Sequence, residues 1–314
     1  MINFLNDFFD FVEFDYKIIE KIPISGQRVV YLSEKNISDG KKYMLKYSSA
    51  EPYIVSRIER EIRILSEFNS EYFPKVCFNG YITKENLNDF FDSFSLQDDK
   101  EKLSKFEVYK ALKVSPFFLT VETYIDNIPW DNSFLSSLDQ KKIVTFLIQV
   151  FEGLSLLWGK KIVHRDLKPG NILIKPCGSP VIIDLGAAKS FRDGTVDLTL
   201  PFFSAPITYQ FAAPEQFGNE TKEVTYKSDQ FAMGVIAFFM LTGKFPYGDN
   251  QEIGLKEMTS NLAQGKIVNL GLLESTISGQ FLDFVKKLIE IEPYKRFRNS
   301  KIIIENLNEI NKGL

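Results

Sequence analysis

His164-Arg165-Asp166-Leu167-Lys168-Pro169-Gly170-Asn171 contains the one histidine of the 314-residue chain. A single imidazole cannot build a histidine metal cluster, so chemistry in this stretch falls to its carboxylate, its lysine and its amide. Just downstream, Ile172 to Lys175 and Val181 to Asp184 read as short strands around the turn Pro176-Cys177-Gly178-Ser179. Such a hairpin brings Asp184, at the end of its second strand, back beside Asn171. A carboxylate and an amide carbonyl are hard oxygen donors of the kind Mg²⁺ takes, with waters and phosphate oxygens completing the shell. Asp166 is then left to orient a hydroxyl.

Composition narrows the class around that stretch. Hydrophobic residues make up 44% and aromatics 14%, enough for a sizeable core. Lysine plus arginine number 38 against 41 aspartates plus glutamates, a net charge of −3 that argues against nucleic acid or an anionic membrane as partner. Cys77 and Cys177 stand alone without CxxC spacing, which points away from a disulfide framework or zinc site and suits a reducing, cytoplasmic compartment. Residues 1–15 are rich in phenylalanine and carry Asp7, Asp10, Glu13 and Asp15 with no basic residue before Lys17, unlike a signal peptide. The longest apolar run, Phe231 to Leu241, is far shorter than the roughly 18 residues of a membrane span and reads as a buried helix, so no membrane anchor is expected.

Along the chain the pattern changes once. Lys17 to Ile22, Val29 to Ser33 and Lys42 to Tyr47 are strand-like, separated by the turn residues Ser25-Gly26 and Asp39-Gly40, and predict a small antiparallel sheet. Residues 53–68 place Ile54, Ile58, Ile62 and Leu65 at helical spacing. Two further strands, near Lys75 to Thr83 and Phe117 to Ile125, flank a polar segment at about 84–113. Loops beyond about 12 to 15 residues are uncommon, so this is a solvated helical insertion or a docking appendage, the insertion being preferred. After Ile125 the chain turns helical, over Lys141 to Trp158, 228–242 and 281–291. The organisation is α+β: an N-terminal extension over 1–15, a sheet-bearing lobe over 16–124 and a mainly helical lobe over 125–314. The extension and the insertion either pack on the small lobe or bind a partner, packing being the simpler reading.

His164 to Asn171 resembles the catalytic loop of protein kinases, and Asp184-Leu185-Gly186 resembles their Asp-Phe-Gly triplet. Ala213-Pro214-Glu215 is similar to the Ala-Pro-Glu motif, Asp229 to Gly234 to the start of the buried central helix, and Arg296 to the arginine that pairs with Glu215. Tyr43-Met44-Leu45-Lys46 takes the place of the Val-Ala-Ile-Lys strand, with Glu61 matching the helix glutamate that holds its lysine. The resemblance covers about residues 16–310 and implies a bilobal kinase fold using ATP with Mg²⁺ or Mn²⁺. It implies Asp166 as the residue orienting the acceptor hydroxyl, Lys168 as the cation that neutralises charge on the transferred phosphoryl group and Thr208 as their support. Lys46 would contact the α- and β-phosphates, Asn171 and Asp184 the metal, and Ser25, Gly26, Val30, Met44 and Leu173 the nucleotide. His164 becomes a packing residue. Lys168, and Thr208 ahead of Glu215, resemble the serine/threonine class, and Ala212 to Phe217 its bacterial members.

The departures are local. Aligned on Val30 and Tyr31, the three glycines of the family's phosphate loop fall on Pro23, Ser25 and Arg28, leaving Gly26 alone, which weakens or reshapes the phosphate cradle. Arg28 reaches phosphate or points to solvent, solvent being preferred. Val121-Glu122-Thr123-Tyr124 fits the hinge in two registers, so the residue guarding the back of the pocket is not assigned. Arg165 resembles the arginine that pairs with a phosphate on the activation segment, with Thr195, Thr199 and Ser204 as candidate acceptors for autophosphorylation, in trans through self-association as one route, an exposed loop hydroxyl being the preferred reading of any single one. The expected activity is serine/threonine protein kinase. A pseudokinase scaffold and a kinase-like small-molecule phosphotransferase are the alternatives, and the protein substrate is not named by the sequence.

Overall fold

Alternation along one strand decides how the first half of the chain folds. Successive side chains of a strand point to opposite faces, and in β3 (Tyr43–Ser49) Tyr43, Leu45 and Tyr47 face one way while Met44, Lys46 and Ser48 face the other. The computed structural model describes residues 2–23, 28–49, 51–92, 117–190, 209–217 and 224–314. They form two units, Met1–Asn69 with Pro74–Ile125, and Ser70–Phe73 with Asp126–Leu314.

In the first unit β3 is joined by β1 (Tyr16–Ile22), β2 (Val29–Lys35), β4 (Val76–Ile82) and β5 (Phe117–Thr123) in a five-stranded sheet of order β1-β2-β3-β5-β4. All four pairings are antiparallel. The Leu45 face is closed by α1 (Ile2–Phe11) and α3 (Lys84–Asp92): Phe4, Leu5, Phe8 and Phe9 pack with Leu87, Phe90, Leu119 and Val121 in one apolar core. Phe4 and Phe8 meet the Phe90 ring edge-on at 5.4 and 5.3 Å. Asn6 fastens α1 to the edge strand, its Nδ2 donating to the Ile18 carbonyl at 3.0 Å and its Oδ1 accepting from the Ile18 N–H at 2.7 Å. That is where the β1–β2 register slips, between Ile18 and Glu20, so the amide satisfies backbone groups that the sheet edge exposes. The acidic N-terminal extension is therefore a packed helix of the first unit.

The opposite face meets α2 (Pro52–Ser66), whose Val55 and Ile58 pack on Phe118. Its buried residues are Val55, Ile58, Glu61, Ile64 and Leu65, a stripe at helical spacing that includes one carboxylate. Glu61, a charged residue, lies within the apolar stripe. The insertion begins as the helix α3, and 93–116 lie outside the described residues.

The second unit is built on α5 (Gln140–Gly159) and α6 (Tyr226–Thr242), preceded by the short α4 (Asn132–Ser136). Asp139 caps α5 by accepting from the Lys142 N–H. Of the helices in the described residues, α5 alone is long and apolar enough to cross a membrane, yet Ile143, Leu147, Val150, Leu154 and Leu157 are buried along it as in a core helix. In α6 the run Phe231 to Phe238 is wholly buried, as its composition predicts. A Cβ on Gly234 would lie 2.6 Å from Leu288 Cβ and 2.7 Å from Ile289 Cγ2; only glycine lets α6 approach α7 (Gly279–Leu288) this closely. A two-stranded ladder of β6 (Ile162–Val163) with β9 (Lys189–Ser190) and a hairpin of β7 (Ile172–Ile174) with β8 (Pro180–Ile182) carry the segment around His164.

Candidate active site

The β7–β8 hairpin fixes the catalytic segment. Ile172 pairs with Ile182, and the Ile183 N–H extends the ladder to the Asn171 carbonyl at 3.0 Å. Asp184, the next residue, leaves the strand in the left-handed region at φ 61°. The expected strand to Asp184 therefore stops at Ile182. A positive φ costs a non-glycine residue of order 1–3 kcal/mol, a strain that collects at functional sites. Arg165, with φ 71°, carries the same strain.

Around Asp166 the polar groups converge. Lys168 Nζ lies 2.9 Å from Asp166 Oδ2. Asn171 Nδ2 donates to the Asp166 carbonyl at 2.7 Å and to Oδ2 at 3.0 Å. The amide's nitrogen is thus spent on Asp166, and its Oδ1 is the atom left for a cation, beside the backbone that leads to Asp184. The Asp166 side chain keeps about a third of its surface in solvent, at 33%, open to an acceptor.

His164 is fully buried. Its Nε2 lies 3.1 Å from the Ile183 carbonyl, which can only accept, so Nε2 carries the proton. Nδ1 then accepts from the Asp166 N–H at 3.4 Å. The imidazole ties the Asp166 backbone to the strand before Asp184 and has no nitrogen left for proton transfer. Below it, Asp229 of α6 accepts from the N–H groups of His164 and Arg165 at 3.0 and 2.9 Å and from Trp158 Nε1 at 2.9 Å. Burial pushes the Asp229 carboxyl above the ordinary carboxylate range, against the pull of His164 and of these donors. Gln216, not anticipated from the sequence, donates through Nε2 to the Arg165 carbonyl at 2.9 Å.

The predicted pair between Glu215 and Arg296 is present and bidentate, at 2.7 and 3.0 Å. Arg296 also donates to the carbonyls of Glu290, Lys227 and Ile291. Ser228 Oγ donates to Glu215 at 2.7 Å.

In the first unit, Val30, Met44 and Lys46 share one face of the sheet, since Val30 pairs with Lys46 and Leu32 with Met44. Two expectations fail there. Among the described residues the ion pair of Lys46 runs to Glu122 Oε2 at 2.7 Å, not to Glu61. Glu61 takes Arg28 at 2.5 Å, so the arginine expected in solvent is in an ion pair. The physical reason is register: Met44 lies opposite Glu122 and Lys46 opposite Thr120 in the β3–β5 ladder, which puts the Glu122 side chain on the Lys46 face. The same register pairs Val121 with Leu45 and Thr123 with Tyr43. Burial pushes the Lys46 ammonium down, but the carboxylates of Glu122 and Glu61 outweigh it and hold it above the ordinary lysine value. Leu173 is half-buried on β7. Ser25, Gly26 and Thr208 lie outside the described residues, as do Thr195, Thr199 and Ser204.

The protein kinase domain family model matches residues 25–306. The chain belongs to the protein kinase family. Similar proteins include serine/threonine-protein kinase TOUSLED of Arabidopsis thaliana, 33% identical over 49% of this chain and 23% of its own length. Serine/threonine-protein kinase B of Synechocystis sp. is 25% identical over 60% of this chain and 32% of its own. Probable serine/threonine-protein kinase fhkE of Dictyostelium discoideum is 30% identical over 91% of this chain and 40% of its own. The kinase domain thus spans less than half the length of each of these relatives. Kinases of this family use ATP with a divalent cation, and the oxygen donors Asn171 Oδ1 and Asp184 fit such an ion.

Proposed function

We propose that this kinase domain transfers the γ-phosphoryl group of ATP to serine or threonine hydroxyls of a protein, with Mg²⁺ or Mn²⁺ held by Asn171 and Asp184. One observation carries the reading: a carboxylate, Asp166, is clamped by a lysine and by an amide nitrogen, which turns the amide oxygen toward cation duty. When bound, the cation neutralises phosphate charge. Asp166 accepts or orients the acceptor proton, and Lys168 lies 2.9 Å from it to offset charge on the moving phosphoryl group. Lys46 grips the α- and β-phosphates. The identities of the relatives, all named serine/threonine kinases, support the acceptor class.

A scaffold without turnover is disfavoured by the intact set Lys46, Asp166, Asn171 and Asp184, and a small-molecule phosphotransferase by Lys168-Pro169 and the Ala-Pro-Glu segment. A cytoplasmic setting suits the two exposed, free thiols of Cys77 and Cys177. Autophosphorylation between copies of the chain belongs to the same reading. Incubation with radiolabelled ATP, Mg²⁺ or Mn²⁺ and generic protein acceptors, followed by acid hydrolysis, tests it: label on phosphoserine or phosphothreonine is expected. Label only on small molecules, or nucleotide binding with no transfer, overturns it.

A further inference from the structure

Four charges lie on the α2 face of the sheet. Lys46 on β3 and Glu122 on β5 stand diagonally across one ladder, 2.7 Å apart. Arg28 precedes Val29 and continues the Val30-to-Lys46 face of β2, and its Nη2 meets Glu61 of α2. Both carboxylates are almost wholly buried, Glu122 at 4% exposure and Glu61 at 2%. A carboxylate this deep is strongly destabilising without a cation, so the pairing adopted here has physical weight. Position decides who pairs with whom. Lys46 and Glu122 are fixed to each other by backbone hydrogen bonds of neighbouring strands, whereas Glu61 rides on a helix whose Val55 and Ile58 side chains pack on Phe118 of the sheet. Arg28 stands where the phosphate loop of the family has its third glycine, so the substitution that weakens the loop's glycine pattern supplies the cation that Glu61 takes.

We propose that Glu122 is the positioning residue for Lys46, that Arg28 is the cation holding Glu61, and that the lysine is therefore presented from within the sheet. Only the phosphate end of this inference rests on the kinase reading. The pairing itself can be measured without turnover. In the full chain and in E122Q, E122D and E61Q, trace modification of Lys46 by an amine-selective reagent is followed across pH by peptide mass spectrometry. E122Q should lower the midpoint of Lys46 labelling by about one pH unit or more, the scale of losing an adjacent opposite charge, and by more than E61Q does. E122D should recover part of the shift, and serves as the test should E122Q not fold. In turnover, a lysine left loose should cost about 10²-fold in kcat, the scale of a small misplacement, with E122Q losing more than E61Q and E122D partly rescued. A midpoint and kcat that respond to E61Q as much as or more than to the Glu122 variants overturn the proposal. A wild-type chain with no transfer but the expected labelling order refutes the kinase reading and leaves the pairing standing.

Discussion

Removing the Asp166 carboxylate takes away the group that Lys168 and Asn171 hold in place, and D166A should lower kcat by about 10²- to 10⁴-fold, read in a steady-state transfer assay with the melting temperature unchanged. Arg296 should behave in the opposite way. Its guanidinium and the Glu215 carboxylate are buried at 0% and 3% side-chain exposure, so R296A leaves a buried charge unpaired and should cost about 3–5 kcal/mol in denaturant unfolding. R296K should not restore it, because an ammonium cannot match the bidentate fork. Lys46 gives a pH prediction whose sign follows from its raised value. Stability from its pairing is fully present below the unfolded lysine value and is lost as pH rises through the folded one, above 10.5. Unfolding titrations of wild type and K46M should therefore differ by a constant amount from neutral pH to about 10 and converge only beyond. At this scale the sequence named Asp166, Lys168, Asn171, Asp184 and the Glu215–Arg296 pair, because each sits in a motif of fixed spacing. It could not name Glu122 or Arg28 as partners. Those pairings depend on strand register, which the ambiguous stretch 121–124 did not disclose.

Elements were legible where periodicity was long and illegible where it was short. The buried helix α6 follows from its unbroken apolar run, and Gly234 marks where it meets Leu288 and Ile289. G234A should destabilise the fold by about 1–3 kcal/mol, the cost of overpacking, measured by thermal denaturation. The helix α1 was not predicted as a helix, since a ten-residue stretch with no capping signal and acidic residues on its outer side gives little period to read. Tertiary contact makes it: Phe8 is fully buried, and F8A should cost about 3–5 kcal/mol. Were α1 a solvated appendage, F8A would leave the melting temperature where it is. The strand ending at Ile182 rather than Asp184 is a third case. A left-handed residue looks like any other aspartate in sequence, and only the function assigned to it hints that the backbone turns there.

For the molecule as a whole, the family was readable because several separated motifs occur in the right order, and order is information that composition lacks. Lys46 and Glu122 belong to the first unit, and Asp166, Asn171 and Asp184 to the second. We propose that Asp166 and Asp184 act in one phosphotransfer reaction. Transfer of label from γ-radiolabelled ATP, with Mg²⁺, to protein by the wild-type chain beside D166A and D184A, all three shown folded by thermal melting, tests this. Transfer by the wild type that falls by about 10²-fold or more in D166A and is abolished in D184A is the predicted result. Equal labelling in all three, or none in the wild type, would contradict it.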